Sequence, residues 1–199
     1  MSIKFMNHIK SFFKRKQTDK ILIFGLGNPG KKYNLSHHNI GRIVVNFLAK
    51  SNNCQYKYYK KFKAFLAETT INNKDIILAR SEDFMNVSGE PLRAIKDYYK
   101  IPEKNIWVIH DDIDIAFGKI KISQNQGAAG HHGVESIIKH LGNNNFNRIR
   151  IGIWGRPFSE KNKNITQSYV MKRFNKEEQT KLNDINKIAV SIIESAINN

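Results

Sequence analysis

Four short clusters in this 199-residue chain gather side chains that can move protons, hold a water or meet an anion. The first is SHHN, Ser36 to Asn39, with His37 and His38 where a loop turns into a helix. The second is HDDID, His110 to Asp114, which follows the apolar run NIWVI. An imidazole from one strand end and a carboxylate from another can work as a general base and its orienting acid. The acid fixes the imidazole tautomer and stabilises the imidazolium. The same residues can also form a structural hydrogen bond or a solvated acidic turn. The third cluster is FMNVSG, Phe84 to Gly89, whose Asn86 offers an amide for a water, for an oxyanion, or for a plain helix cap. The fourth is QGAAGHHG, Gln126 to Gly133, a flexible loop that carries His131 and His132 into a helix. Backbone N–H groups at such a helix start can meet an anion.

Other chemistries fit less well. His110, Asp111, Asp112, Asp114, His131 and His132 can supply metal ligands, but no H-E-x-x-H or C-x-x-C spacing occurs. A water activated by imidazole needs no metal, and none is expected. Ser88 in NVSGE lacks the G-x-S-x-G elbow of a serine nucleophile, so water is the expected attacking group. Gly25, Gly27 and Gly30 spell G-x-G-x-x-G, yet Pro29 and the loop KKYNLS stand where a dinucleotide fold starts its helix. No Asp or Glu lies between Lys20 and Ala67 to bind a ribose. The lone Cys54 cannot form an internal disulfide and fits a reducing cytoplasm.

These groups need a frame. KILIFGLG reads as a buried strand, and Ser36 is expected to cap a helix with Ile40, Val44, Phe47 and Leu48 on one face. FKAFLAETTI and KDIILAR are strands joined by NNK. Ser88 and Pro91 open a helix with Leu92, Ile95 and Tyr99 inward; NIWVIHDD, KIKIS and RIRIGIW are further strands. GVESIIKHLG is a helix closed by Gly142, and Asn175 with Glu178 forms a capping box on the last helix. The mixed order of elements implies one α/β domain, a twisted mixed sheet with helices on both faces. In such sheets, sites gather beyond the carboxyl ends of the strands.

Lys and Arg total 33 against 17 acids, a formal charge of +16. That excess suits a polyanionic partner such as nucleic acid, although a lysine-rich composition bias produces the same number. Residues 1–19 are expected to be a flexible basic extension outside a domain of residues 20–199. Phe5, Ile9, Phe12 and Phe13 allow a basic arm, a surface-seeking helix or a frayed leader. No apolar run approaches the roughly 18 residues of a membrane span.

Taken in order, GLGNPGKKYNLSHHNIG, FMNVSG, HDDIDIAFGKIKI and GHHGVESIIKHLGNNNFNRIRIGI resemble the bacterial-type peptidyl-tRNA hydrolase family, from Ile21 to the last helix. The resemblance implies a single α/β globule, without cofactor or metal, that cleaves the ester between a peptide and the 3′ end of tRNA. It implies a cytoplasmic monomer whose partner is peptidyl-tRNA and not a membrane. It also implies His38 as general base on water and Asp111 as the acid orienting it. Asn28 and Asn86 would position the peptide end and the water or oxyanion, and Tyr33, Phe84 and Met85 would wall the cleft. His131 would stand near the tRNA end, and Lys121 and Arg150 would hold the 5′-phosphate of the acceptor stem. The family usually has Asn where this chain has His132, which cannot offer an amide's donor–acceptor pair when neutral. The alternative is an RNA-binding relative that has lost the chemistry; the retained His38 and Asp111 speak against it.

Overall fold

All five residues of ILIFG are buried, so the segment must be a central strand, and it forms β1 (Ile21–Gly25) of a seven-stranded sheet. The computed structural model describes residues 18–155 and 163–198. The chain continues through α1 (Ile40–Ser51), β2 (Lys57–Tyr59), β3 (Ala64–Ile71), β4 (Lys74–Ser81), α2 (Gly89–Tyr99) and β5 (Ile106–Ala116). Then come β6 (Ile120–Gln124), α3 (His132–Leu141), β7 (Asn147–Trp154), α4 (Lys163–Met171) and α5 (Lys176–Ala196). The basic leader lies outside the described residues except for Thr18 and Asp19. Thr18 is tied to the end of α2 through its N–H to Lys100 O and its hydroxyl to Tyr99 O.

The sheet order is β2-β3-β4-β1-β5-β7-β6. Strands β4, β1, β5 and β7 run parallel, while β3 and β6 run against their neighbours. Helices cover both faces, as expected. Val44, Leu48, Ile185 and Ile193 of α1 and α5 share one core with Ile23 and Ile109. Leu92, Ile95, Val134 and Ile137 of α2 and α3 share the other with Phe24 and Val108. From β1 the chain goes to one side of the sheet, and from β5 to the other. The crevice beyond the ends of β1 and β5 is therefore the topological switch point.

Two glycines set how deep that crevice is. A Cβ on Gly25 would meet Gly41 O, and one on Gly41 would meet Ile109 O and Leu26. Helix α1 thus packs backbone to backbone on β1 and β5, which carries its preceding turn over the strand ends. Gly41→Ala is expected to destabilise the fold by about 1–3 kcal/mol, since the clash is with backbone and cannot rotate away. A urea midpoint equal to wild type would refute this.

Some local expectations need correction. Ser36 does not cap α1: its hydroxyl donates to Tyr33 O, and a 3-10 turn, His37–Asn39, intervenes before the helix. Strand β5 runs past the expected NIWVIHDD to Ala116, because β7 keeps pairing with it after β1 has ended. Asn86 is not a cap; Ser88 occupies that position, and Asn86 sits on a 3-10 turn, Met85–Val87. Strand β2 and helix α4 had no clear sequence signal. The capping box of Asn175 and Glu178 is present.

Candidate active site

Strand β5 outruns β1. Their last paired residues are Gly25 and Ile109, and Asp111 lies two positions further along, held only by β7 through Ile151. The space beside it is taken by the turn that precedes α1. His38 Nδ1 lies 2.8 Å from Asp111 Oδ1 and 3.0 Å from Oδ2. The carboxylate can only accept, so Nδ1 carries the proton and Nε2 keeps a free lone pair. Burial disfavours the imidazolium, but the charge and hydrogen bond of Asp111 outweigh it, and the His38 pKa stands above its ordinary value. Burial alone would raise Asp111; His38 and His131 pull it well below the usual carboxylate range.

His131 is the second donor to that carboxylate. Its Nδ1 accepts the N–H groups of Gly133 (3.1 Å) and Val134 (3.3 Å), capping α3, which leaves its proton on Nε2. Nε2 donates to Asp111 Oδ1 at 2.9 Å. A loop histidine therefore becomes part of the buried centre. His132, next in sequence, points outward, with a side chain 65% exposed and 3.6 Å from Glu135. His110 is buried and donates from Nδ1 to the Asp111 carbonyl at 2.7 Å. Burial and the neighbouring His131 push its pKa well below ordinary, so it stays neutral.

His37 takes another task. Its ring lies between two helix ends, 3.0 Å from Tyr169 O of α4 and 3.2 Å from Glu178 Oε2 of α5, stacked on Tyr169 at 4.6 Å. It anchors both helices to the turn that carries His38.

The glycine turn is clamped by Asn39, a residue the sequence reading left without a role. Asn28 N–H donates to Asn39 Oδ1 at 2.8 Å, and Asn39 Nδ2 donates to Asn28 O at 2.9 Å. The Asn28 side chain is buried, and its Oδ1 accepts from Met85 N–H at 2.9 Å. Its Nδ2 donates to Met171 Sδ at 3.9 Å. Met85 packs on Gly133, while Phe84 stands exposed and edge-on to Tyr33 at 6.4 Å. Asn86 is exposed, and its amide makes no hydrogen bond among the described residues.

A cavity of about 720 Å³ opens over the centre, lined by His38, Asp111, His131 and His132 and walled by Thr166, Val170 and Met171 of α4. Asn28, Tyr33, Phe84, Met85 and Asn86 do not line it, nor do Lys121 and Arg150. The last two face each other across β6 and β7. Lys121 is exposed; Arg150 donates from Nε to Asp112 Oδ2 at 2.7 Å and from Nη1 to Gln126 Oε1 at 3.0 Å. Asp112 and Gln126 thus join the site as holders of Arg150. Their signal in sequence was no more than membership of the polar clusters.

The ligand atoms of His38, Asp111 and His131 lie within 4.8 Å of one another, close enough for a cation. The nitrogens that face the carboxylate are the ones bearing protons, and His131 Nδ1 is occupied by backbone N–H groups. This donor set fits a hydrogen-bonded His–Asp–His centre better than a metal cage.

A family model described as peptidyl-tRNA hydrolase matches residues 22–199. A peptidyl-tRNA hydrolase of Rickettsia bellii (strain RML369-C) is 44% identical over 158 residues, covering 79% of this chain and 83% of that one. One from Rickettsia prowazekii (strain Madrid E) is 40% identical over 179 residues, 90% of each chain. The crystal structure of peptidyl-tRNA hydrolase from Acinetobacter baumannii superposes with a TM-score of 0.76 at 28% identity, covering 92% of this chain and 95% of that one.

Proposed function

The chain belongs to the peptidyl-tRNA hydrolase family, and we propose that its hydrolysis of the ester between peptide and tRNA runs through His38 as general base. The observation that carries this is the hydrogen bond from His38 Nδ1 to Asp111, which leaves Nε2 unprotonated at the cavity. Water bound there gives a proton to Nε2 as its oxygen attacks the ester carbonyl. Asp111 stabilises the imidazolium that forms. The tetrahedral intermediate then expels the 3′ oxygen of tRNA, which takes the proton back from His38, leaving free peptide and free tRNA. His131 holds Asp111 from the other side. The Asn28 amide donor and the free amide of Asn86 suit the peptide end or the developing oxyanion.

On this reading the substrate is divided between two regions. Tyr33, Phe84 and Met85 offer an apolar wall for the peptide. Lys121 and Arg150 offer paired cations for the 5′-phosphate of the acceptor stem, and phosphate contacts supply register without reading sequence. Lys121→Ala is expected to weaken tRNA binding and lower the slope of log affinity against log salt by about 1. An unchanged slope would remove Lys121 from the phosphate contact. We place the domain at residues 20–199, with residues 1–19 as a basic extension of it, in a cytoplasmic monomer. Among the described residues no helix is long and apolar enough to cross a membrane.

Incubation with N-acyl-aminoacyl-tRNA, with and without a chelator, tests the reading. Release of tRNA at the same rate in both is expected. Loss of release on chelation would replace the imidazole-activated water with a metal-bound one. Tight tRNA binding without release would favour a binding protein that has lost the chemistry.

A further inference from the structure

A second concentration of cations and rings lies away from the groups used above. Residues 55–63 read QYKYYKKFK, inside the stretch Lys20–Ala67, which carries no acid. The fold puts them on the outer edge of the sheet, in strand β2 and the 3-10 turn Lys60–Phe62. Lys57, Lys60 and Lys61 are exposed, and none has a carboxylate within ion-pair distance among the described residues. Lys63 is the paired member, 3.5 Å from Glu90 and 3.9 Å from Asp83.

Rings stand on both sides of this edge. On the face of α1, Tyr58 is 51% exposed and leans on Phe65 at 5.2 Å, with the Arg80 guanidinium 4.4 Å from the Phe65 ring. On the face of α2, Tyr98 is 59% exposed and meets Phe62 edge-on at 5.3 Å, with Lys61 Nζ 3.3 Å from its ring centroid.

We propose that the β2 edge is a binding site for single-stranded RNA, separate from the ester-cleaving cleft. Lysines without a carboxylate partner answer the phosphates, and the exposed tyrosines offer π-faces on which bases of any identity can stack, Tyr98 on the face opposite Lys61. The arrangement favours a flexible strand over an anionic membrane. A flat surface reaches the rings of one face only, whereas a single strand can pass over the edge and use both. Strands β2 and β6 are at opposite ends of the sheet order, on the order of 30 Å apart at ~4.8 Å per strand. The RNA held here is therefore not the stretch that contacts Lys121.

The test is fluorescence anisotropy with a labelled single-stranded oligouridine that carries neither a 5′-phosphate nor an acyl ester. Tyr58→Ala and Tyr98→Ala are each expected to weaken binding about 5- to 100-fold, the range of one lost base stack, and Tyr58→Phe to leave it unchanged. The double variant Lys60→Glu, Lys61→Glu should weaken binding further and lower the salt slope by about 0.7 per lysine. Turnover of N-acyl-aminoacyl-tRNA should stay within about two-fold in all of them. Equal oligouridine affinity across the ring and charge variants would overturn the proposal. So would turnover that falls in step with oligouridine binding, which would make the edge part of the cleft. Loss of binding to phosphatidylserine vesicles in the double variant, with RNA binding intact, would also overturn it and assign the edge to a membrane surface.

Discussion

His38→Ala is expected to reduce kcat for peptidyl-tRNA by at least ~10³-fold, within the range lost when a positioned general base is removed. Its Nε2 is free of both a proton and a partner and opens to the cavity, whereas His110 Nε2, equally unprotonated and unpartnered, is fully buried. His131 cannot substitute, because its Nδ1 caps α3 and its Nε2 carries the proton given to Asp111. Affinity for tRNA should change by no more than about two-fold, since the base acts in the transition state and not in ground-state binding. Single-turnover rates and a tRNA binding isotherm check the two halves separately. Turnover that survives the substitution would move the base elsewhere.

Asp111→Asn is the second large effect, an expected loss on the order of 10²–10⁴-fold in kcat. The carboxylate accepts from two imidazoles at once, His38 at 2.8 Å and His131 at 2.9 Å. Both bonds fall on Oδ1, while Oδ2 lies 3.0 Å from His38 Nδ1; an NH₂ group in either place opposes an imidazole N–H and favours the wrong tautomer of His38. The pH profile adds a directional check. The base must be neutral to act, so the wild-type rate falls as pH drops through a His38 pKa that lies above the ordinary imidazole value. Without the carboxylate, the lowering effect of burial is unopposed, and the acid limb should move to lower pH. A residual rate whose acid limb stays put would mean that another group titrates. Folding stability should respond in the opposite sense for the two partners. The Asp111 contribution is present above the ordinary carboxylate pKa and fades as pH falls; that of His38 is present below the ordinary imidazole pKa and fades as pH rises.

Much of the frame was legible before any coordinates. Continuous apolar runs marked β1, β4 and β5, because parallel strands buried on both faces need them, and the alternation of RIRIGIW marked β7. Helical spacing marked α1, α2, α3 and α5. Strand β2 escaped because an exposed edge of three residues has no buried face to impose a pattern. Helix α4 escaped because one side of it lines a cavity, which weakens its apolar stripe. The end of β5 was placed short, at Asp112, whereas pairing with β7 carries the strand to Ala116. Asp111, held by two imidazoles, and Asp112, held by Arg150, stay in the ladder as expected.

The glycine motif, not read as a dinucleotide turn, takes a structural role. Gly25 and Gly41 are required for the approach of α1 to β1, and the loop they leave room for presents Asn28. The sequence by itself determined the fold class, the basic character and the family, since periodicity, charge and motif order are properties of the chain. Residue type alone could not choose within its own pairs; only the motif resemblance singled out His38 and His131. His37 and His38 are chemically identical neighbours, and so are His131 and His132. The tertiary structure separates them, because successive residues of a 3-10 turn point about 120° apart. One ring is sent to the ends of α4 and α5, the other to Asp111. At the start of α3, the capping residue folds its ring back over the free N–H groups and reaches Asp111, while the first helical residue faces solvent. Which histidine reaches Asp111 is thus a matter of direction, and direction exists only once the turn is packed against the strand ends.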